Sequence, residues 1–135
     1  TGTPHTELLE AFFAARAGLP SEEVRVFAQR VEDCMGELAA AAGELGLRTV
    51  AVVDPPRAGL HASVATALRT LRGLEELVYV SCDFAQAGDN LRRLCDEEKR
   101  GCRGPPFSPL RVVPLDLFPH TRHYETLLHL RRLYE

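Results

Sequence analysis

Leu8, Leu9, Phe12 and Phe13 recur at helical spacing, and Gly18 is a natural stop after them. Thr3 or Thr6 suits the N-cap of that helix and Pro4 its first turn. Val24 to Gln29 reads as a short strand, and an alanine-rich helix runs from about Glu32 to Gly43 or Gly46. TVAVVD, residues 49–54, is an apolar run that stops at an acid, the pattern of a buried strand. His61 to Leu71 is helical and ends at Gly73. LVYVSC, residues 77–82, is another strand, and Ala85 to Cys95 another helix. DEEKRGCRGPPFSP, residues 96–109, is charged and then rich in Gly and Pro, which predicts a loop with solvated side chains. RVVPLDLF, residues 111–118, is a strand. In HYETLLHLRRLYE, residues 123–135, the leucines fit a helix and a strand equally. Strand–helix alternation predicts an α/β domain, with a mostly parallel sheet and helices on both faces.

Composition narrows this only a little. A chain of 135 residues suits one domain, and 45% hydrophobic with 26% charged residues is ordinary for a globular protein. The net charge of −3 gives no broad basic footprint for nucleic acid; an RNA partner would need a basic surface elsewhere. Cys34, Cys82, Cys95 and Cys102 include no CxxC pair and form no ligand pattern with the five histidines, which argues against a metal site. They read as reduced thiols of an intracellular protein. No apolar run reaches the length of a membrane span, and no signal peptide is visible.

Three stretches carry chemistry. VVDPPRAGL, residues 52–60, ends a strand on Asp54 and then fixes the chain with two prolines, which lock φ and stiffen the loop. VYVSCDF, residues 78–84, sets Ser81, Cys82 and Asp83 just beyond another strand. A free cysteine is as a rule a small buried hydrophobe, but ligands of open α/β sheets sit beyond the carboxyl ends of strands. DLFPHTRHYE, residues 116–125, gathers an aspartate, two histidines and a glutamate in a turn-rich segment. Each stretch taken alone also fits a plain strand-ending turn with solvated side chains.

DPPRAGL, VYVSC and DLFPHTRHYE in this order resemble the C-terminal catalytic half of the RNA uracil-5 methyltransferases. The likeness runs from about Val24 to Leu133, and the charged, proline-containing insertion before DLFPHT is most similar to the eukaryotic tRNA branch. The resemblance implies that residues 1–135 are the C-terminal portion of a catalytic domain that uses S-adenosylmethionine to methylate uridine C5 in RNA, most naturally tRNA. It implies a partial Rossmann-like class I methyltransferase sheet of parallel strands with a C-terminal antiparallel hairpin, so that residues 124–132 are a strand. The sheet's first two strands, and an RNA-binding portion before them, would precede Thr1. Cys82 matches the family's nucleophile and Glu125 its base. Asp54 matches a ligand-contacting acid, and Asp33 resembles a position near the cofactor's adenine. Arg57 is a candidate for lowering the Cys82 pKa.

The chain departs from the family pattern twice. Asp83-Phe84 replaces Asn-Pro after the cysteine, which removes a stiffening proline from the nucleophile's loop. No glycine-rich loop follows an early strand, so the sheet is expected to expose an edge. Two further readings stand beside methylation of uridine: a catalytically inactive methyltransferase-like fragment acting as a binding or structural module, and a methyltransferase acting on an amino group. The last would leave Cys82 without a role.

Overall fold

The computed structural model describes residues 4–20, 23–46, 48–97 and 102–133. They fall into two compact units, 1–34 and 35–135.

The first unit holds helix α1 (Pro4–Ala17) and the start of α2 (Val31–Leu45). Gly18, at φ 68°, leaves α1 in the left-handed conformation expected of its stop. Thr6 lies within α1, so it is not its cap; Thr3 is outside the described residues. Val24–Gln29 is not a strand. The Val26 N–H donates to the Glu10 carboxylate at 2.8 Å, so that side chain, and no neighbouring strand, takes this donor.

The second unit carries β1 (Thr49–Val53), α3 (Ala62–Thr70), β2 (Leu74–Ser81), α4 (Gly88–Cys95), β3 (Phe107–Leu115) and β4 (Glu125–Arg132). The sheet order is β1-β2-β4-β3. β1 and β2 are parallel, whereas β4 is antiparallel to both β2 and β3. The sheet is therefore mixed, not mostly parallel, and its hairpin folds back so that β4 lies inside it. Residues 125–132 are a strand, as the resemblance required.

Two boundaries moved for physical reasons. β2 begins at Leu74, three residues early, because Glu75 and Glu76 pair with cations: Arg48 reaches both, and Glu76 also meets His129 at 2.7 Å and Arg131 at 3.4 Å. β3 begins at Phe107, within the stretch expected to be loop. Pro109 and Pro114 are tolerated because β3 is an outer strand, and its register shifts between Pro109 and Arg111.

Strand alternation sorts the sheet faces. Leu77, Tyr79, Leu128 and Leu130 form one core with Val64, Ala65 and Leu68 of α3, Leu94 of α4 and Phe107. Met35 of α2 packs against the same core. Full burial of each large side chain contributes about 1.5–3 kcal/mol relative to exposure. Within this unit the helices thus gather on one face, not on both.

Candidate active site at the strand ends

β1 and β2 run parallel, so Asp54 and Cys82 leave the sheet at the same end. β4 runs the other way, so its first residue, Glu125, lies at that end too. Ser81 pairs with Thr126, the last pair of the β2–β4 register, and Cys82 and Glu125 are the next residues beyond it on the two strands' sides. Three residues separated by up to 71 positions in sequence are thus gathered by topology at one sheet edge. Asp33 is exposed in the first turn of α2, in the other unit.

Asp54 is exposed, and its carboxylate enters no hydrogen bond or ion pair among the described residues. The loop after it is stiff for two reasons. Pro55 is buried and Pro56 follows directly; the Gly59 N–H then closes a turn onto the Pro56 carbonyl at 2.8 Å. Gly59 stands at φ 80°, where a side chain is strained, and a Cβ there would lie 2.3 Å from Asn90 Oδ1. Arg57 is exposed.

Cys82 is half-buried. The loop after it is held by hydrogen bonds where the family pattern has a proline. The Asp83 N–H donates to Ser81 Oγ at 3.2 Å, and Asp83 Oδ1 accepts from the Gln86 N–H at 3.3 Å. The aspartate does locally what Asx turns do elsewhere. All four cysteines are free.

Beneath the site lies Tyr79, 1% exposed. Burial pushes its phenol above the ordinary value, and a negative charge on Cys82 acts in the same direction. Tyr79 donates to Asn90 Oδ1 at 2.8 Å. Neither residue stood out in the sequence. The available signal was spacing: Asn90 lies four residues before Leu94 on the buried face of α4.

Residues 116–124 form an exposed loop over the same edge. It is pinned locally: Thr121 donates its hydroxyl to the Phe118 carbonyl at 2.8 Å and accepts the His123 N–H at 3.1 Å. His120 and His123 are exposed on it. Two cavities, of about 350 and 490 Å³, lie at the opposite end of the sheet, around Arg69–Gly73 and between α2 and α3. Neither is lined by Asp54, Cys82 or Glu125.

No family profile matches the chain. Curated relatives do. It is 44% identical over 84 residues to the tRNA (uracil-5-)-methyltransferase homolog A of Mus musculus, covering 62% of this chain and 14% of that protein. Homolog A of Homo sapiens gives the same identity and length, with 13% of it covered. Homolog B of Danio rerio is 43% identical over 99 residues, covering 71% of this chain and 20% of the relative. The chain is similar to one part of the tRNA (uracil-5-)-methyltransferase homologues. It spans a fifth or less of their length. The resemblance read from DPPRAGL, VYVSC and DLFPHTRHYE is thus joined by sequence similarity to these methyltransferases over 62–71% of this chain. No described helix is long and apolar enough to cross a membrane.

Proposed function

We propose that these residues form the part of an RNA uracil-5 methyltransferase that activates the base and later removes its C5 proton. One observation supports the reading: β1 and β2 run parallel and β4 antiparallel to β2, with Ser81 paired to Thr126, so the chain positions of Asp54, Cys82 and Glu125 fall at the same end of the sheet.

Uracil C5 is a poor nucleophile. In this reading the Cys82 thiolate adds to C6 and leaves C5 enolate-like, able to take a methyl group. A carboxylate at Glu125 then removes the C5 proton, the C5–C6 double bond re-forms and the thiolate leaves. S-adenosylmethionine, when bound, supplies the electrophilic methyl on a sulfonium. Asp54, with its acceptor oxygens open at the edge of the sheet, suits a ligand's hydroxyl or amino donors, and Asp33 is the second acid assigned to that cofactor. The sheet would then be the C-terminal part of a Rossmann-like class I methyltransferase domain. The target uridine must leave its stack to reach Cys82, which favours a loop or a flipped base. The non-catalytic alternative is a binding module without turnover.

The deciding experiment uses RNA carrying 5-fluorouridine, S-adenosylmethionine with a labelled methyl, and Cys82→Ala as control. Fluorine cannot be taken as a proton, so the enzyme should stall as a methyl-labelled covalent adduct that survives denaturing electrophoresis. Both this chain and a chain extended upstream are tested. An adduct lost in Cys82→Ala supports the reading. No adduct from either folded chain leaves the binding module, and an adduct that persists in Cys82→Ala removes Cys82 from the mechanism.

A further inference from the structure

Asn90 is 6% exposed and makes three hydrogen bonds, each to a segment that leads into the site. Its Oδ1 accepts the Leu60 N–H at 2.7 Å and the Tyr79 hydroxyl at 2.8 Å. Its Nδ2 donates to the Leu60 carbonyl at 3.0 Å. The amide thus reads both backbone groups of Leu60 as a neighbouring strand would, and anchors them to the strand that ends in Cys82. Gly59 lets the loop approach this closely, since any Cβ there would run into the same Oδ1. The amide orientation is set by chemistry: turned over, Nδ2 would face the Leu60 N–H and Oδ1 the Leu60 carbonyl.

We propose that Asn90 is a positioning residue that clamps the Asp54–Leu60 loop onto β2 and so sets where Asp54 stands relative to Cys82. Its effect on turnover rests on the reading that these two residues serve one reaction. Leucine fills a similar volume but leaves three buried polar groups unpaired. An ionised aspartate accepts both donors but repels the Leu60 carbonyl. A protonated aspartate can accept both donors and also donate, so it restores the full set.

The test has two arms. In the first, hydrogen exchange at the Leu60 amide is followed by NMR in the wild-type chain, Asn90→Leu, Asn90→Asp and Tyr79→Phe, with Leu77 and Leu128 as internal references in the sheet. Asn90→Leu should lower protection at Leu60 by roughly tenfold or more while the references hold, the mark of local and not global opening. Asn90→Asp should lose protection at neutral pH and regain it on acidification, which a merely structural role would not produce. Tyr79→Phe should leave most of the Leu60 protection in place. Should Asn90→Leu not fold, Asn90→Asp carries this arm by itself. Unchanged Leu60 protection in a folded Asn90→Leu, or no pH recovery in Asn90→Asp, overturns the clamp.

The second arm measures the rate of adduct formation with 5-fluorouridine RNA on the upstream-extended protein. The maximal rate should fall by roughly tenfold in Asn90→Asp at neutral pH, while the RNA concentration at half-maximal rate stays unchanged. A loosened loop with an undiminished maximal rate overturns the positioning role. If the wild type itself forms no adduct, the functional reading fails, and the exchange data alone decide whether the clamp exists.

Discussion

Thr126 is 3% exposed, and its hydroxyl has no hydrogen-bond partner among the described residues. A buried polar group left unpaired costs about 1–3 kcal/mol. Thr126→Val keeps the branched shape that suits β4 and removes the hydroxyl, so it should raise stability by about 1 kcal/mol. A urea midpoint that stays level or falls would show that the hydroxyl has an unrecognised partner. Gly59 makes the opposite case. Gly59→Ala forces a side chain into φ 80° and against Asn90, and should destabilise by about 2 kcal/mol. Legibility at this scale followed chemistry. Asp54 and Cys82 drew attention because each follows an apolar run at a strand end, and Glu125 because its motif resembles that of the methyltransferases. Asn90 did not, because a polar residue in a short charged helix looks solvated until the loop it holds is folded against it.

At the scale of elements, two arginines do work that their sequence neighbourhood hides. Arg132 donates to the carbonyls of Leu74 at 2.6 Å, Leu68 at 2.8 Å and Leu71 at 3.2 Å, and to that of Arg69. It thereby caps the end of α3 from β4, and its guanidinium lies 4.8 Å from the centre of the Phe107 ring. Arg69 in turn bonds the carbonyls of Arg93, Asp96 and Gly104, tying α4 and the start of β3 to α3. Arg132→Met strips the cap from buried carbonyls and should cost at least about 3 kcal/mol, measured by chemical denaturation. A loss under about 1 kcal/mol would mean that water satisfies those groups. RHYETLLHLRRL could not reveal this, since a terminal Arg-Arg ordinarily reads as solvent-facing charge.

The Glu76 cluster belongs to the same scale. A hydrogen bond from His129 holds the Glu76 carboxyl below its ordinary range, helped by the charges of Arg131 and Arg48 and opposed by desolvation. Its folded pKa lies below its unfolded one. The cluster therefore stabilises the fold above the ordinary value near pH 4.5, and that stability is lost as pH falls through the folded value. Glu76→Gln should make stability less dependent on pH between about 5 and 3, by denaturant titration at each pH. Parallel curves for the two proteins would contradict this.

For the whole molecule, the decisive feature is the outer strand β1. Val50 and Val52 are 55% and 69% exposed on it, and it has one partner strand, β2. Among the described residues no strand lies beyond β1. Exposed, flat, apolar edges template association. The chain should self-associate at high concentration, and Val52→Lys should suppress this in sedimentation or light scattering without lowering the melting temperature by more than a few degrees. Equal association of both proteins would point away from β1. The parallel pair was legible because β1 and β2 each come from a continuous apolar run, whereas the last strand of the hairpin was read from the resemblance, since ETLLHLRR fits a helix and a strand equally. The insertion of β4 between β2 and β3 was not legible, because neighbour choice in a sheet is settled by faces and edges that local periodicity does not encode.

That insertion has a consequence for the order in which the structure can be born. Strand β4 is the latest of the four in sequence, yet it alone joins β3 to the β1–β2 pair. A nascent chain emerged only as far as Tyr124 has a two-stranded ribbon, a strand with no partner and an uncapped α3. Two-stranded sheets are marginal in water. The segment through Arg132 must therefore emerge before β3 can join the sheet, and a chain truncated at Tyr124 is expected to lose the β2–β4–β3 pairing.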